Sequence, residues 1–317
     1  MERGYPIRVL ETGTWRVIYS GRFETRTHVA GFLKDGQSFM CEGPTPWRAI
    51  VDLRTGERAL KYPPYNPHEH QGDTFTPAGD RTLLMTHWQS PPYQTTTLSL
   101  VDLPDYREIV KVPYATETRK PRPVKGGVPL DTECGPVLSD GRKILACSFD
   151  NILACRRIED LAVLWTKSVE PDLELLRIAI SADGARIAAS VGEPSVEEPT
   201  RAFRQHYLGV YDGGTGEELA RLQIYGTEWM ALSADGKLIA VVSHERGEKG
   251  AVLPSASIYE ISSGRKVASV VHGPVKRGRH QWLESGITVA FTSDGKYLIT
   301  SGIATRVWSL GEGIEHA

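Results

Sequence analysis

Apolar residues in this chain fall in short runs separated by turn residues. The clearest stretch is 287–310, where three β-rich runs (287–291, 296–300 and 305–310) are divided by Thr-Ser-Asp-Gly and Ser-Gly-Ile. Asp-Gly between two such runs predicts a tight hairpin, because glycine takes the positive φ that the turn demands. Runs such as 238–242 are apolar on both alternating faces, the pattern of a sheet sandwiched between other sheets. A meander of three or four such strands cannot bury itself, so copies are expected to stack. No amphipathic helix is expected, and the Pro-rich segments 62–67 and 120–123 would break one.

The copies are visible as repeated turns ending at Gly36, Gly79, Gly141, Gly184, Gly236 and Gly295, spaced 43, 62, 43, 52 and 59 residues apart. A steadier marker is the apolar-acid pair that follows each turn: Val51-Asp52, Val101-Asp102, Ile158-Glu159, Tyr211-Asp212, Tyr259-Glu260 and finally Trp308-Ser309. Its spacings of 50, 57, 53, 48 and 49 give a period near fifty residues. That period, with about four strands per unit, predicts propeller blades.

The turn h-x-S-x-D-G, the strand ending in Tyr-Asp or Val-Trp and the Thr-Gly that follows together resemble the WD-repeat and WD-like β-propellers, in particular the divergent bacterial kind. The resemblance covers roughly residues 28–310; the chain departs from the typical pattern in having no Gly-His pair before a first strand and no Trp-Asp. It implies an all-β fold, a β-propeller of four-stranded antiparallel blades. The markers count six blades where seven is usual for the family, at about 28–62, 73–113, 134–166, 175–225, 228–272 and 287–310 of one domain spanning 1–317. The segment 1–27 contributes the closing strands. The last blade has three strands of its own, so the strand at 15–19 is expected to complete it and close the ring.

Length and charge narrow the class. A chain of 317 residues can bury roughly three quarters of its unfolded surface, enough for one large domain. With 37 basic and 39 acidic residues, a net charge of −2 gives no general attraction to nucleic acid or to an anionic membrane. No run has the length of a membrane span and the N-terminus has no secretory core, so the chain reads as cytoplasmic. Cys41, Cys134, Cys147 and Cys155 lack metal-site spacing and read as reduced thiols, with Cys147 and Cys155 one position out of register on one hairpin.

In a meander blade the turns between strands one and two and between three and four share one face. The remaining connections share the other, and here they are the long ones, among them 63–72, 87–94, 115–133, 191–206, 244–257 and 274–286. Eight of the nine histidines fall on that face, and binding usually resides on long loops carried by a rigid scaffold. Trp47, Trp88, Tyr93 and Trp282 are candidate anchors for a protein or peptide partner, with Arg119, Lys120, Arg122, Lys276, Arg277 and Arg279 as a basic rim. The alternative is a metal-assisted lyase or hydrolase, lactonase-like, with a divalent metal on His68 and His70, two residues apart in an extended segment, completed by His87, His244, His272 or His280 over the central channel. Under the binding reading no cofactor is expected. Asp35, Asp140, Asp183, Asp235 and Asp294 recur once per blade in the Asp-Gly turns, which turn chemistry explains without catalysis.

Overall fold

The computed structural model describes the chain outside residues 1–4, 12–13, 24–27, 34–35, 43–47, 60–73, 78–81, 88–96, 103–106, 114–136, 140–142, 148–151, 171–172, 194–203, 225–228, 247–251, 272–287, 302–304 and 311–317. The described residues form 25 strands in seven antiparallel sheets. Among them no helix is long and apolar enough to cross a membrane.

Five sheets are four-stranded meanders in simple chain order. They are β3–β6 (His28–Phe32, Ser38–Glu42, Arg48–Asp52, Arg58–Ala59), β7–β10 (Thr74–Pro77, Thr82–His87, Thr97–Asp102, Arg107–Pro113) and β11–β14 (Val137–Ser139, Lys143–Cys147, Ile152–Arg157, Val163–Ser168). The other two are β15–β18 (Glu174–Ile180, Arg186–Glu193, Arg204–Asp212, Glu218–Leu222) and β19–β22 (Trp229–Leu232, Leu238–Arg246, Val252–Glu260, Lys266–Val271). The last sheet has three strands, β23–β25 (Thr288–Phe291, Tyr297–Ser301, Thr305–Ser309). The N-terminal β1 (Tyr5–Leu10) and β2 (Val17–Phe23) pair with each other in a sheet of their own.

This corrects the expected closure: the strand at 15–19 does not complete the last sheet, and among the described residues β25 is that sheet's outer strand. The physical reason is local. A hairpin between strands six residues apart closes at little entropic cost, whereas pairing with 305–309 means closing a loop of nearly the whole chain. The hairpin also has its own place to bury. Ile7, Val9 and Phe23 share one core cluster with Phe39, Cys41, Ala49 and Val51 of β4 and β5.

The chain divides into two compact units, Met1–Thr118 with Ile158–Leu161, and Arg119–Arg157 with Ala162–Ala317. In the first, the hairpin and the β3–β6 sheet form the core just described. In the second, successive sheets are joined by apolar clusters. Leu153, Cys155 and Trp165 meet Leu175, Ile187, Val191 and Tyr211, while Leu208, Val210 and Leu222 meet Met230, Ile239 and Val241. Each fully buried aliphatic side chain is worth roughly 1.5–3 kcal/mol, so these inter-sheet seams hold the unit together.

Some expected loops are shorter than read. Across 244–257 the hairpin ladder runs on, with His244 opposite Pro254 and Arg246 opposite Val252, and the connection shrinks to 247–251. Pro254 is tolerated because β22 begins pairing only at Ser255. Likewise β16 and β17 carry strand structure to Glu193 and back from Arg204. Cys155 is buried, in no disulfide and opposite Leu145, while Cys147 lies opposite Leu153; the two cysteines are therefore two positions apart along the ladder rather than one.

The repeated turns have one construction. Ser181, Ser233 and Thr292 donate their hydroxyls to Asp183, Asp235 and Asp294 at 2.6, 2.8 and 2.6 Å. The same hydroxyls accept the amide N–H of Arg186, Leu238 and Tyr297 at 2.9, 2.9 and 3.1 Å. Gly184, Gly236 and Gly295 follow at φ of 68, 65 and 69°, where a side chain would be strained. At the other short turn Asp52 and Asp212 accept from the amides two and three residues on, at 2.7–3.0 Å.

These bonds favour the ionised carboxylates. Asp183 is held below the ordinary aspartate range chiefly by the Ser181 hydroxyl, Asp294 by that of Thr292, Asp212 by the Gly214 amide and Asp52 by the Thr55 amide. Burial pushes Asp235 up, but Ser233 and Lys237 together bring it below its usual value. A depressed folded-state value contributes stability that is complete above the unfolded value of about 3.9 and is lost as pH falls through the folded one. Thermal midpoints are therefore expected to stay level from neutral pH down to about 4 and to drop steeply below it. Asp183→Asn with Asp212→Asn should flatten that drop; an equal drop in the double variant would refute the assignment.

Candidate functional site

The first strands of three successive sheets in the second unit, β15, β19 and β23, lie side by side and line a groove of about 720 Å³. Its wall is built from Arg177, Ile180, Trp229, Ala231, Thr288 and Phe291, among others. Ala182, Ala234 and Ser293, one from each of the three hydroxyl-Asp-Gly turns, line it too, so the short turns meet at one end of the groove. In a meander the connections from second to third strand leave from the opposite end, and in this unit they include 194–203 and 247–251.

Register places three side chains at one level near that opposite end. Arg177 lies opposite Ser190, Trp229 opposite Val242 and Thr288 opposite Ser301, each seven residues before its own turn glycine. Trp229 is 41% exposed, which is unusual for the largest apolar side chain on an inner strand. The Arg177 guanidinium stands 5.2 Å from its ring centroid, within cation–π range, and so braces the indole. The level thus offers an aromatic face, a cation and a hydroxyl above an apolar floor, a set that suits an apolar side chain carrying a hydrogen-bond acceptor or an anionic group. Among the described residues lining the groove there is no His, Asp, Glu, Lys or Cys. The described wall therefore supplies recognition groups: an indole, a guanidinium and hydroxyls.

The other dense group of titratable residues in this unit is internally satisfied. The Tyr207 hydroxyl donates to Glu170 at 2.7 Å, and Arg221 makes bonds of 2.8 and 2.9 Å to Glu218. Arg221 also stacks 4.0 Å over the Tyr207 ring. The Tyr207 bond, above all, holds Glu170 below its usual range; burial, then the Glu170 carboxylate, raises Tyr207, and burial pushes Tyr211 up to about 12. Tyr207, Glu170, Arg221 and Glu218 each have a partner, which marks a clamp between Glu170, two residues past the end of β14, and the β15–β18 sheet.

Trp47, Trp88, Tyr93, Arg119, Lys120, Arg122, Lys276, Arg277, Arg279 and Trp282 lie outside the described residues, as do His68 and His70. Of His87 and His244 only the backbone is described, at the end of β8 and within β20. No group of three or more potential metal ligands occurs among the described residues. Trp229 was missed by the sequence reading. Its signal was there: aligning the repeats on their turn glycines puts Trp229 level with Arg177 and Thr288, where a large aromatic stands out.

No family model and no curated protein matches the chain. Solved structures do. KlAtg21, in complex with the coiled-coil of AgAtg16, is similar at 14% identity and a TM-score of 0.57, over 89% of this chain and 80% of that one. KlHsv2, with its loop 6CD replaced by a Gly-Ser linker, is similar at 10% identity and 0.60, over 97% and 86%. The β-propeller domain of Myceliophteria thermophila Cps50 (Swd1) is similar at 11% identity and 0.62, over 96% and 90%. At these identities the likeness speaks to fold alone, and what it shows is a WD-repeat-like β-propeller fold.

Proposed function

We propose that this protein is a non-enzymatic β-propeller scaffold, of the divergent bacterial WD-repeat kind, that binds a protein or peptide partner through the face from which its long connections leave. The observation that carries the reading is Trp229, half-exposed and braced by Arg177 near the long-connection end of the groove. Exposed aromatics beside an arginine are the residues on which interface energies concentrate. The complex of KlAtg21 with a coiled-coil is a precedent for a propeller of this fold binding a protein segment. In this reading Trp47, Trp88, Tyr93 and Trp282 extend the anchor set, and Arg119, Lys120, Arg122, Lys276, Arg277 and Arg279 form the basic border.

Selection of a random displayed peptide library on the purified protein tests this directly. The selected peptides are expected to lose at least about tenfold in affinity to Trp229→Ala, the size of a modest hot spot. They should bind normally to Asp52→Asn, at the short-turn end of its own sheet. Peptides indifferent to Trp229→Ala and Trp282→Ala alike would refute the proposed face.

A further inference from the structure

We propose that the groove lined by β15, β19 and β23 selects an acidic peptide: a bulky apolar residue enters a recess beneath Trp229, and an Asp or Glu beside it meets Arg177. The inference rests on the binding face argued above and names the chemistry which that face selects.

Register defines the recess. Two residues beyond Arg177, Trp229 and Thr288, on the same alternating side of each strand, stand Ala179, Ala231 and Ala290, and all three line the groove. Two strand residues span about 7 Å. A large indole above three methyl groups therefore leaves a hollow of that depth, floored toward the short turns by Ala182, Ala234 and Ser293. Such a hollow suits a leucine or phenylalanine side chain, and Phe291 adds an aromatic wall.

Charge decides the neighbour. Arg177 is the one charged side chain among the described residues that line the groove, so an entering carboxylate meets a cation and no opposing acid on that wall. A guanidinium carries five N–H donors, enough to take a carboxylate alongside its other contacts. The same group disfavours a basic residue. Arg177 stands 5.2 Å from the Trp229 ring centroid, so a lysine or arginine drawn to that ring would meet its charge. Across the groove the exposed Thr288 hydroxyl makes only a long 3.5 Å bond to the Ser301 carbonyl, and turning it toward a peptide carbonyl costs little.

The peptides selected on the purified protein are the probes, each synthesised with its acid and with the corresponding amide. The acid form is expected to bind at least about tenfold tighter, the scale of one charge-assisted contact. Arg177→Gln should erase that difference, and Arg177→Lys should keep it. Selection repeated on Arg177→Glu should return lysine or arginine at the acid's place, a reversal that mere support of the indole would not produce. Ala231→Leu, which fills the recess, should weaken every such peptide with the circular dichroism unchanged. Peptides that depend only on Trp282, or that depend on Trp229 but show no acid preference or keep it in Arg177→Gln, overturn this inference and leave the binding face standing. A selection that yields no peptide sensitive to Trp229→Ala or Trp282→Ala overturns the face itself, and this inference with it.

Discussion

Gly213→Ala is expected to lower the stability of the second unit by about 3 kcal/mol, an unusual effect for one methyl group. A Cβ at residue 213 would be driven directly against the carbonyl oxygen of Gly184, which is backbone and cannot rotate away. Two bonds depend on that approach: the Gly213 amide donates to the Ala185 carbonyl at 2.9 Å, and the Trp165 indole N–H donates to the Gly213 carbonyl at 3.2 Å. The second joins β14 to the neighbouring sheet, so the methyl disturbs a turn and an inter-sheet seam together. Urea unfolding followed by tryptophan fluorescence measures the effect. Leu53 and Ile261 make the same amide bond while carrying side chains, to Gln37 and Lys237. A loss under about 1 kcal/mol would mean that residue 213 relaxes into their arrangement and that the Gly184 contact is not a constraint.

Phe23→Ala is expected to cost the first unit about 3–5 kcal/mol, the usual range for a buried phenylalanine. Phe23 is 1% exposed and closes the hairpin against Phe39 and Val51. Arg58 stacks 4.4 Å over its ring and donates to the Arg22 carbonyl at 2.8 Å, so truncation also loosens β6. Hydrogen exchange locates the damage: protection should fall in 5–10, 17–23 and 38–51. Were β2 the fourth strand of the last sheet, protection would fall in 305–309 instead, and that outcome would reject the hairpin as placed here.

The repeat period, the Asp-Gly turns and the two-sided apolar strands were legible because each is local. A hydroxyl, a carboxylate and a glycine within four residues build the turn at 292–295 whatever surrounds it. The partners of the N-terminal strand were not legible. Residues 15–19 have a strand's pattern, but a pattern of period two fits any sheet edge, and the choice fell to burial of Phe23 beside Phe39.

The same limit applies to the candidate site. The residues beside Trp229 along the chain do not distinguish it from a core tryptophan; it becomes an exposed indole beside a cation and a hydroxyl because β15, β19 and β23 converge and bring Arg177 and Thr288 to its level. The chain's local chemistry was sufficient to specify strands, turns and their repetition, because those depend on residues a few positions apart. Which strands meet and which indole faces solvent at Trp229 depend on contacts between residues tens to hundreds of positions apart, and those exist only once the sheets have packed.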